Sequence, residues 1–475
     1  MSLKICSLPL VALLVAGQAA PERGREEVFA AAVDEAALRR YVRELVAFGP
    51  RMGGTPSNER SASYLQAYFS KLGLSAEVVD DPPTLVHWED SWRIEFEDGA
   101  VLESAHPFGF SPSIASSAPV RVIEVKDLRS AKPSDAWKGA VLYTPSDVND
   151  EYASFSRAAG KAVAIITSAP NDPARYVDWS RIESLPARPD NPIPVFAVSY
   201  ADGRTLAAAA RAGRRVRVSL ASSIREGRPK TVIATIAGRE PDKYFLICAH
   251  GDSDSGGPGA DDNASGVATV MEIARVYASL LRSGAIARPQ HSLRFAIWGT
   301  EYHSAKAFID REGDRLRGAQ AVINFDETGT GAERDAIYIE SNDVPWNERL
   351  LRTFEAVAST YAGKPGFWTE YTTNPSQGGT DSYAFLPEQF KGTGDTPLQI
   401  PSTTVYTAAW DKLANVSQTP GWESKGSPDA KNLQIDYSLY YHSSGDTPEN
   451  TTEREPFNMV RAVKLAGMVL LRLNR

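Results

Sequence analysis

Cysteine is almost missing from this 475-residue chain: there are two, Cys6 and Cys248. Cys6 lies in the first twenty residues, so a chain that sheds that stretch keeps Cys248 alone and forms no internal disulfide. A core of the size this length allows needs none, and Cys248 reads as a small buried hydrophobe. Histidine is scarce too, with six in all, so each one is worth placing. Long runs of positive charge are absent and the formal net charge is −8. Phosphate backbones require clustered Lys and Arg, which excludes nucleic acid as the main partner. Beyond residue 20 no segment looks like the roughly 20 apolar residues of a membrane-spanning helix. Internal repeats and low-complexity tracts are also absent.

What is present begins with MSLKICSLPLVALLVAGQAA, in which Lys4 precedes an apolar run from Leu8 to Val15 and a small-residue exit. That is the layout of a secretory signal peptide over residues 1–20, so the expected location is secreted or periplasmic. From Glu35 to Leu74 the apolar residues recur at three and four, which predicts two amphipathic helices joined by a Gly/Pro-rich loop. The alternating WEDSWRIEFEDGAVLE predicts a hairpin around Asp98–Gly99. Residues 118–222 have their own texture, short β-rich runs alternating with helical pieces, and contain no cluster of histidines or carboxylates. They are expected to form a compact α/β unit without ligands, separate from residues 25–117 and 223–475.

From Val232 onward strands and helices alternate, and three strands end in chemically active residues. YFLICAHGD ends at His250 and Asp252, SLRFAIWGTE at Glu301, and AVINFDET at Asp326. Binding crevices of open α/β sheets lie at the carboxyl ends of strands, so these groups are expected to converge. The loop GDSDSGGPGADDNASG delivers Asp261 and Asp262 just ahead of the helix VATVMEIARVYASLL. Helix capping alone explains neither two adjacent Asp nor the HGD before them. A histidine with several carboxylates suits Zn²⁺, with Co²⁺ or Mn²⁺ as substitutes. One Asp can bridge two such ions. Near the C-terminus YYHSSGDTPEN supplies His442.

HGD, GADDNASG, WGTE, INFDETG and YYHSSGDTPEN, in that order and spacing, resemble the M28 family of zinc aminopeptidases. The resemblance implies a zinc exopeptidase fold: a three-layer α/β/α sandwich with a mixed, largely parallel sheet. It also likens residues 118–222 to the protease-associated (PA) domain inserted in many members. It implies that His250 and Asp326 hold one zinc, that Asp261 bridges to a second held by His442, and that the Asp261–Asp262 peptide is cis. Asp252 and Asp262 would support the ligands from behind, Asp252 by fixing the tautomer of His250. Asp381 in GGTDSYAFL matches a family position that lines the active site, although a helix start explains it equally well. The implied activity is hydrolysis of a terminal peptide bond in a peptide or dipeptide by metal-activated water.

The chain departs from the family pattern at WGTEYHS. The family carries two adjacent Glu there, the general base and a ligand of the second zinc, whereas this chain has Glu301 followed by Tyr302. Counting from Trp298 keeps Glu301 as the base and leaves the ligand position to Tyr302 or, with better chemistry, His303. The other register would place Thr300 at the base position. Two alternatives follow from the departure: a non-catalytic binding or receptor protein on the same scaffold, and a glutaminyl cyclase.

Overall fold

The computed structural model describes residues 22–475 apart from 129–130, 133, 147, 149–151, 153–160, 169–177, 254–255, 331–335, 342–343, 376–379, 387–398, 408, 413–432 and 437–439. The segment read as a signal peptide lies outside the described residues.

The first sheet has eight strands in the order Ser75–Asp80, Lys230–Ile236, His291–Trp298, Glu240–His250, Ala319–Phe325, Ser402–Tyr406, Ala336–Ser341 and Glu370–Pro375. Four of its seven pairings are parallel, and those include all three around the central strand Glu240–His250 and its neighbour Ala319–Phe325, so the sheet is mixed with a parallel centre. Continuous apolar runs such as YFLICAH suit a strand covered on both faces. Side chains alternate across it: Phe245, Ile247 and Ala249 enter one core, while Tyr244, Leu246 and Cys248 enter the other.

The first core is covered by helices Glu35–Val46, Pro56–Lys71, Gly266–Ser283, Glu348–Tyr361 and Phe457–Leu473, the second by His303–Glu312 through Ala305, Phe308 and Ile309. Helix, sheet and helix make the three-layer sandwich that the motifs implied. The two helices expected between Glu35 and Leu74 are present, the first capped by Asp34 and the second by Thr55 with Pro56 in its first turn. The segment Ala260–Ser283 is long and apolar enough to cross a bilayer, yet 83% of its apolar window is buried here, which marks it as a core helix.

A second sheet runs Thr84–Phe96, Arg215–Gly227, Val120–Glu124, Val141–Thr144, Ala164–Thr167, Val195–Ala197 and His106–Pro107. Thr84–Phe96 turns tightly at Gly99, with a single bridge between Glu95 and Val101, but its long partner is Arg215–Gly227, in register from Thr84 opposite Gly227 to Phe96 opposite Val216. This unit therefore draws in residues from 84 onward as well as 118–222. Local alternation could not reveal that, because the pairing joins segments more than a hundred residues apart. The unit touches the other one at a chemically important place: Ile182 N–H donates to the carbonyl of His442 at 2.7 Å.

Candidate active site

Three neighbouring parallel strands bring the expected groups to one edge. His250 ends its strand opposite Trp298, Glu301 follows Trp298 by one tight turn, and Asp326 directly follows Phe325. Ligand atoms of His250, Glu301 and Asp326 all lie within 4.8 Å of one another. His250 Nε2 stands 3.3 Å from Asp326 Oδ1 and 3.4 Å from Asp262 Oδ1. On its other side His250 Nδ1 meets Asp252 Oδ1 at 3.1 Å, and the same oxygen accepts from the backbone N–H of Glu301 at 2.9 Å.

Asp262, not Asp261, faces both histidines: its Oδ2 lies 3.1 Å from His442 Nε2. Asp261 points elsewhere. Its Oδ1 accepts from Gly329 N–H at 2.7 Å, and its Oδ2 accepts from the Thr330 hydroxyl. The expectation that Asp261 bridges and Asp262 supports is thus reversed in position. The cis peptide is one residue later as well, between Asp262 and Asn263. Asn263 then links the loop to both neighbours, donating to Phe325 O at 2.9 Å and accepting from Gly266 N–H at 2.9 Å. A one-residue slip of this kind is invisible in GADDN, because the adjacent Asp261 and Asp262 offer the same carboxylate at either register.

His303 stays out of the cluster. Its Nε2 lies 3.3 Å from the carbonyl of Pro82, and it lines the cleft from that side. Asp381 is fully buried beside the WGTE turn and accepts from Tyr302 N–H at 2.7 Å.

Four groups escaped the motif reading. Asp446, inside the same YYHSSGDTPEN that supplies His442, accepts from the backbone N–H groups of Asp261 and Asp262 at 2.8 and 3.1 Å. Glu327, next to Asp326, is buried with φ +44°. Arg51 is completely buried under the loop. His87, from the second sheet, pairs with Glu89 at 2.9 Å and lines the cleft opposite His250. The acidic neighbours in FDE and SGD carried a signal; Arg51 and His87 did not. All four non-glycine residues with positive φ among the described residues, Phe110, Tyr302, Glu327 and His442, lie in or directly beside this cleft. Strained backbone persists only where the surrounding structure over-determines it, and such residues cluster at active sites and ligand clamps.

The electrostatics are those of a carboxylate crowd short of cations. Burial, then Asp262, Asp261, Asp326 and Asp446, push Glu327 well above the usual carboxylate range. Burial, reinforced by Asp326, Asp381 and Asp262, does the same to Glu301 against the opposing pull of His250. Asp261 and Asp381 are each raised to about 7, chiefly by burial. Burial alone would lower His250, but Asp326, Glu301 and Asp252 outweigh it and hold its pKa well above the ordinary imidazole value. Asp262 moves down despite its burial, because His442, His250 and Arg51 surround it.

The cleft above these groups has a volume of about 260 Å³ and is walled by Met52, Leu85, Val86 and Phe110 on its apolar side.

Known proteins resemble this chain in sequence and in fold. The profile of Peptidase family M28 matches residues 231–466. Leucine aminopeptidase 2 of Trichophyton equinum is 25% identical over 283 residues, 57% of this chain and 51% of that protein. The chain spans about half the length of the curated relatives it matches. Among solved structures, a peptidase M28 precursor from Shewanella amazonensis superimposes with TM-score 0.65 at 18% identity, over 96% of this chain and 97% of its own. A zinc aminopeptidase from Bacillus subtilis superimposes with TM-score 0.60 at 18% identity, over 93% and 95%. These two likenesses establish the fold, and the profile, which covers every strand that ends in the cleft, places residues 231–466 in peptidase family M28.

Proposed function

We propose that the protein is a zinc-dependent exopeptidase of the aminopeptidase type, with Glu301 as general base. The observation that carries this reading is Asp262, whose two oxygens face His250 and His442 while Asp326 and Glu301 stand beside the first histidine. Imidazole nitrogens and carboxylate oxygens are the donors zinc takes. Buried carboxylates this close, with Glu301 and Glu327 pushed well above the usual carboxylate range by burial and by one another's neighbours, are the surroundings a divalent cation relieves. His250, Asp326 and Asp262 would hold one ion, and Asp262 with His442 a second, more loosely.

When bound, zinc lowers the pKa of water and polarises a carbonyl oxygen. The rest falls to the chain. Asp252 fixes the tautomer of His250 that presents Nε2 to the cleft, and by holding the N–H of Glu301 it orients ligand and base from one carboxylate. Glu301, desolvated beside His250, takes the proton of the attacking water and passes it to the leaving amine. The backbone bonds from Asp261 and Asp262 to Asp446 hold the loop still. The apolar wall of Met52, Leu85, Val86 and Phe110 accepts a terminal side chain, and substrates are peptides or dipeptides.

The second α/β unit, PA-like in sequence, shapes access to the cleft without supplying ligands, and the N-terminal segment directs export to the periplasm or medium. A non-catalytic binding protein is the competing reading. Its support is His303, which faces Pro82 and does not replace the glutamate missing at Tyr302. Metal analysis of the purified protein together with a panel of aminoacyl and dipeptide substrates decides between them. Turnover that chelation abolishes and zinc restores supports the enzyme; turnover that survives exhaustive chelation removes it, and bound zinc without turnover favours the binding protein.

A further inference from the structure

Arg51 lies in the loop between helices Glu35–Val46 and Pro56–Lys71, 200 to 208 residues before the carbonyls its side chain reaches, and is 0% exposed. A buried guanidinium is expensive unless its donors are used. They are: Nε donates to Gly251 O at 3.1 Å, Nη1 to Pro258 O at 3.0 Å and Nη2 to Gly259 O at 2.7 Å. Its own backbone N–H donates to Ser253 Oγ at 3.1 Å. These acceptors stand at the two ends of the loop that leaves His250 and arrives at Asp262. One planar group therefore joins the ends of the loop into a ring.

We propose that Arg51 is a positioning residue for the metal centre: by clamping Gly251, Pro258 and Gly259 it fixes the distance between His250 and Asp262. The inference rests on the zinc reading above. A fork with donors at fixed angles is needed for this, and lysine, a single rotatable point charge, does not reproduce it. The charge is useful too, because Asp446, Asp252 and Asp262 surround it. Although burial pulls Arg51 down to about 10, it stays protonated at neutral pH. Gly259 shows how tightly the loop is packed there: at φ +60°, a Cβ would lie 2.4 Å from the Cβ of Ser253, 2.5 Å from the carbonyl oxygen of Asp262 and 3.0 Å from Arg51 Nη2.

The test compares the full-length wild type with Arg51→Met and Arg51→Lys. Zinc affinity is measured by competition with a chelator, and amide hydrogen exchange is measured on residues 251–262 of the metal-free proteins. Folding is checked by circular dichroism. Arg51→Met should bind zinc about 10- to 100-fold more weakly while folded, the usual effect of removing a group that orients ligands, with faster exchange in the loop. Arg51→Lys should recover little of either. Wild-type affinity in Arg51→Lys, or in folded Arg51→Met, overturns the proposal. If Arg51→Met does not fold, Arg51→Lys decides: weaker zinc binding with faster exchange supports the clamp, and wild-type values of both refute it. Should the wild type itself bind no zinc, the zinc reading fails, while exchange in the loop still reports on the clamp.

Discussion

His442 places its Nε2 3.1 Å from Oδ2 of Asp262, although the two belong to motifs far apart in the sequence. Asp262 therefore joins the two halves of the site, while Asp261 is spent on Gly329 and Thr330. Asp262→Asn should strip most of the zinc and abolish turnover. Asp261→Asn should lower thermal stability yet leave zinc bound. Metal analysis of the two purified variants checks this, and the opposite pattern would return the bridge to Asp261.

Glu301→Gln keeps the shape of the side chain and removes its ability to accept a proton. Turnover should fall by roughly 10²- to 10⁴-fold, the usual size of general base catalysis, with zinc content nearly unchanged. If the variant instead loses zinc and wild-type levels cannot be restored by dialysis, Glu301 is a ligand.

The two candidate histidines beyond the first strand should behave differently. His442→Ala should lower zinc occupancy below that of the wild type, because it removes the nitrogen facing Asp262. His303→Ala should leave zinc content unchanged and alter KM alone, since its ring turns to Pro82 at the rim of the cleft. Zinc lost on His303→Ala would show that the ring swings inward when metal binds.

Stability of the metal-free protein should decline as pH rises. Asp261 and Asp381 titrate at about 7 when folded, burial being the main cause, against about 3.9 for an unfolded Asp. Between those values the folded chain keeps protons that the unfolded chain has released. The stability this contributes is complete below about 4 and is lost as pH passes through about 7. Glu301, Glu327, Asp446 and His250, all raised, act in the same direction. Asp262, which is lowered, loses its contribution only in more acidic solution. Chelator-treated protein should melt at a lower temperature near pH 8 than near pH 5.5, and added zinc should shrink the difference. A melting temperature that climbs across this range in metal-free protein contradicts the assignment.

Much of this protein is written in local pattern. The continuous run YFLICAH, the alternation of strands and helices, and the acidic or histidine residue at the end of three strands were enough to place His250, Glu301 and Asp326 together, because parallel strands share one carboxyl edge. Cys248 was legible for the same reason, as part of an apolar strand, and is fully buried. The choice between Asp261 and Asp262 was not legible. Adjacent identical side chains differ only in the direction their backbone gives them, and that direction is set by Asp446, Asn263 and the glycines of the loop. Nor could sequence show that Thr84–Phe96 joins the second sheet and carries His87 to the cleft, since strand pairing depends on partners remote in the chain. Arg51 is the extreme case: an arginine in a Gly-rich loop looks like surface, and only the folded chain, by wrapping the metal loop around its donors, buries it. Residue type and spacing determined which chemistry is available; packing and long-range hydrogen bonds decided which atoms face it.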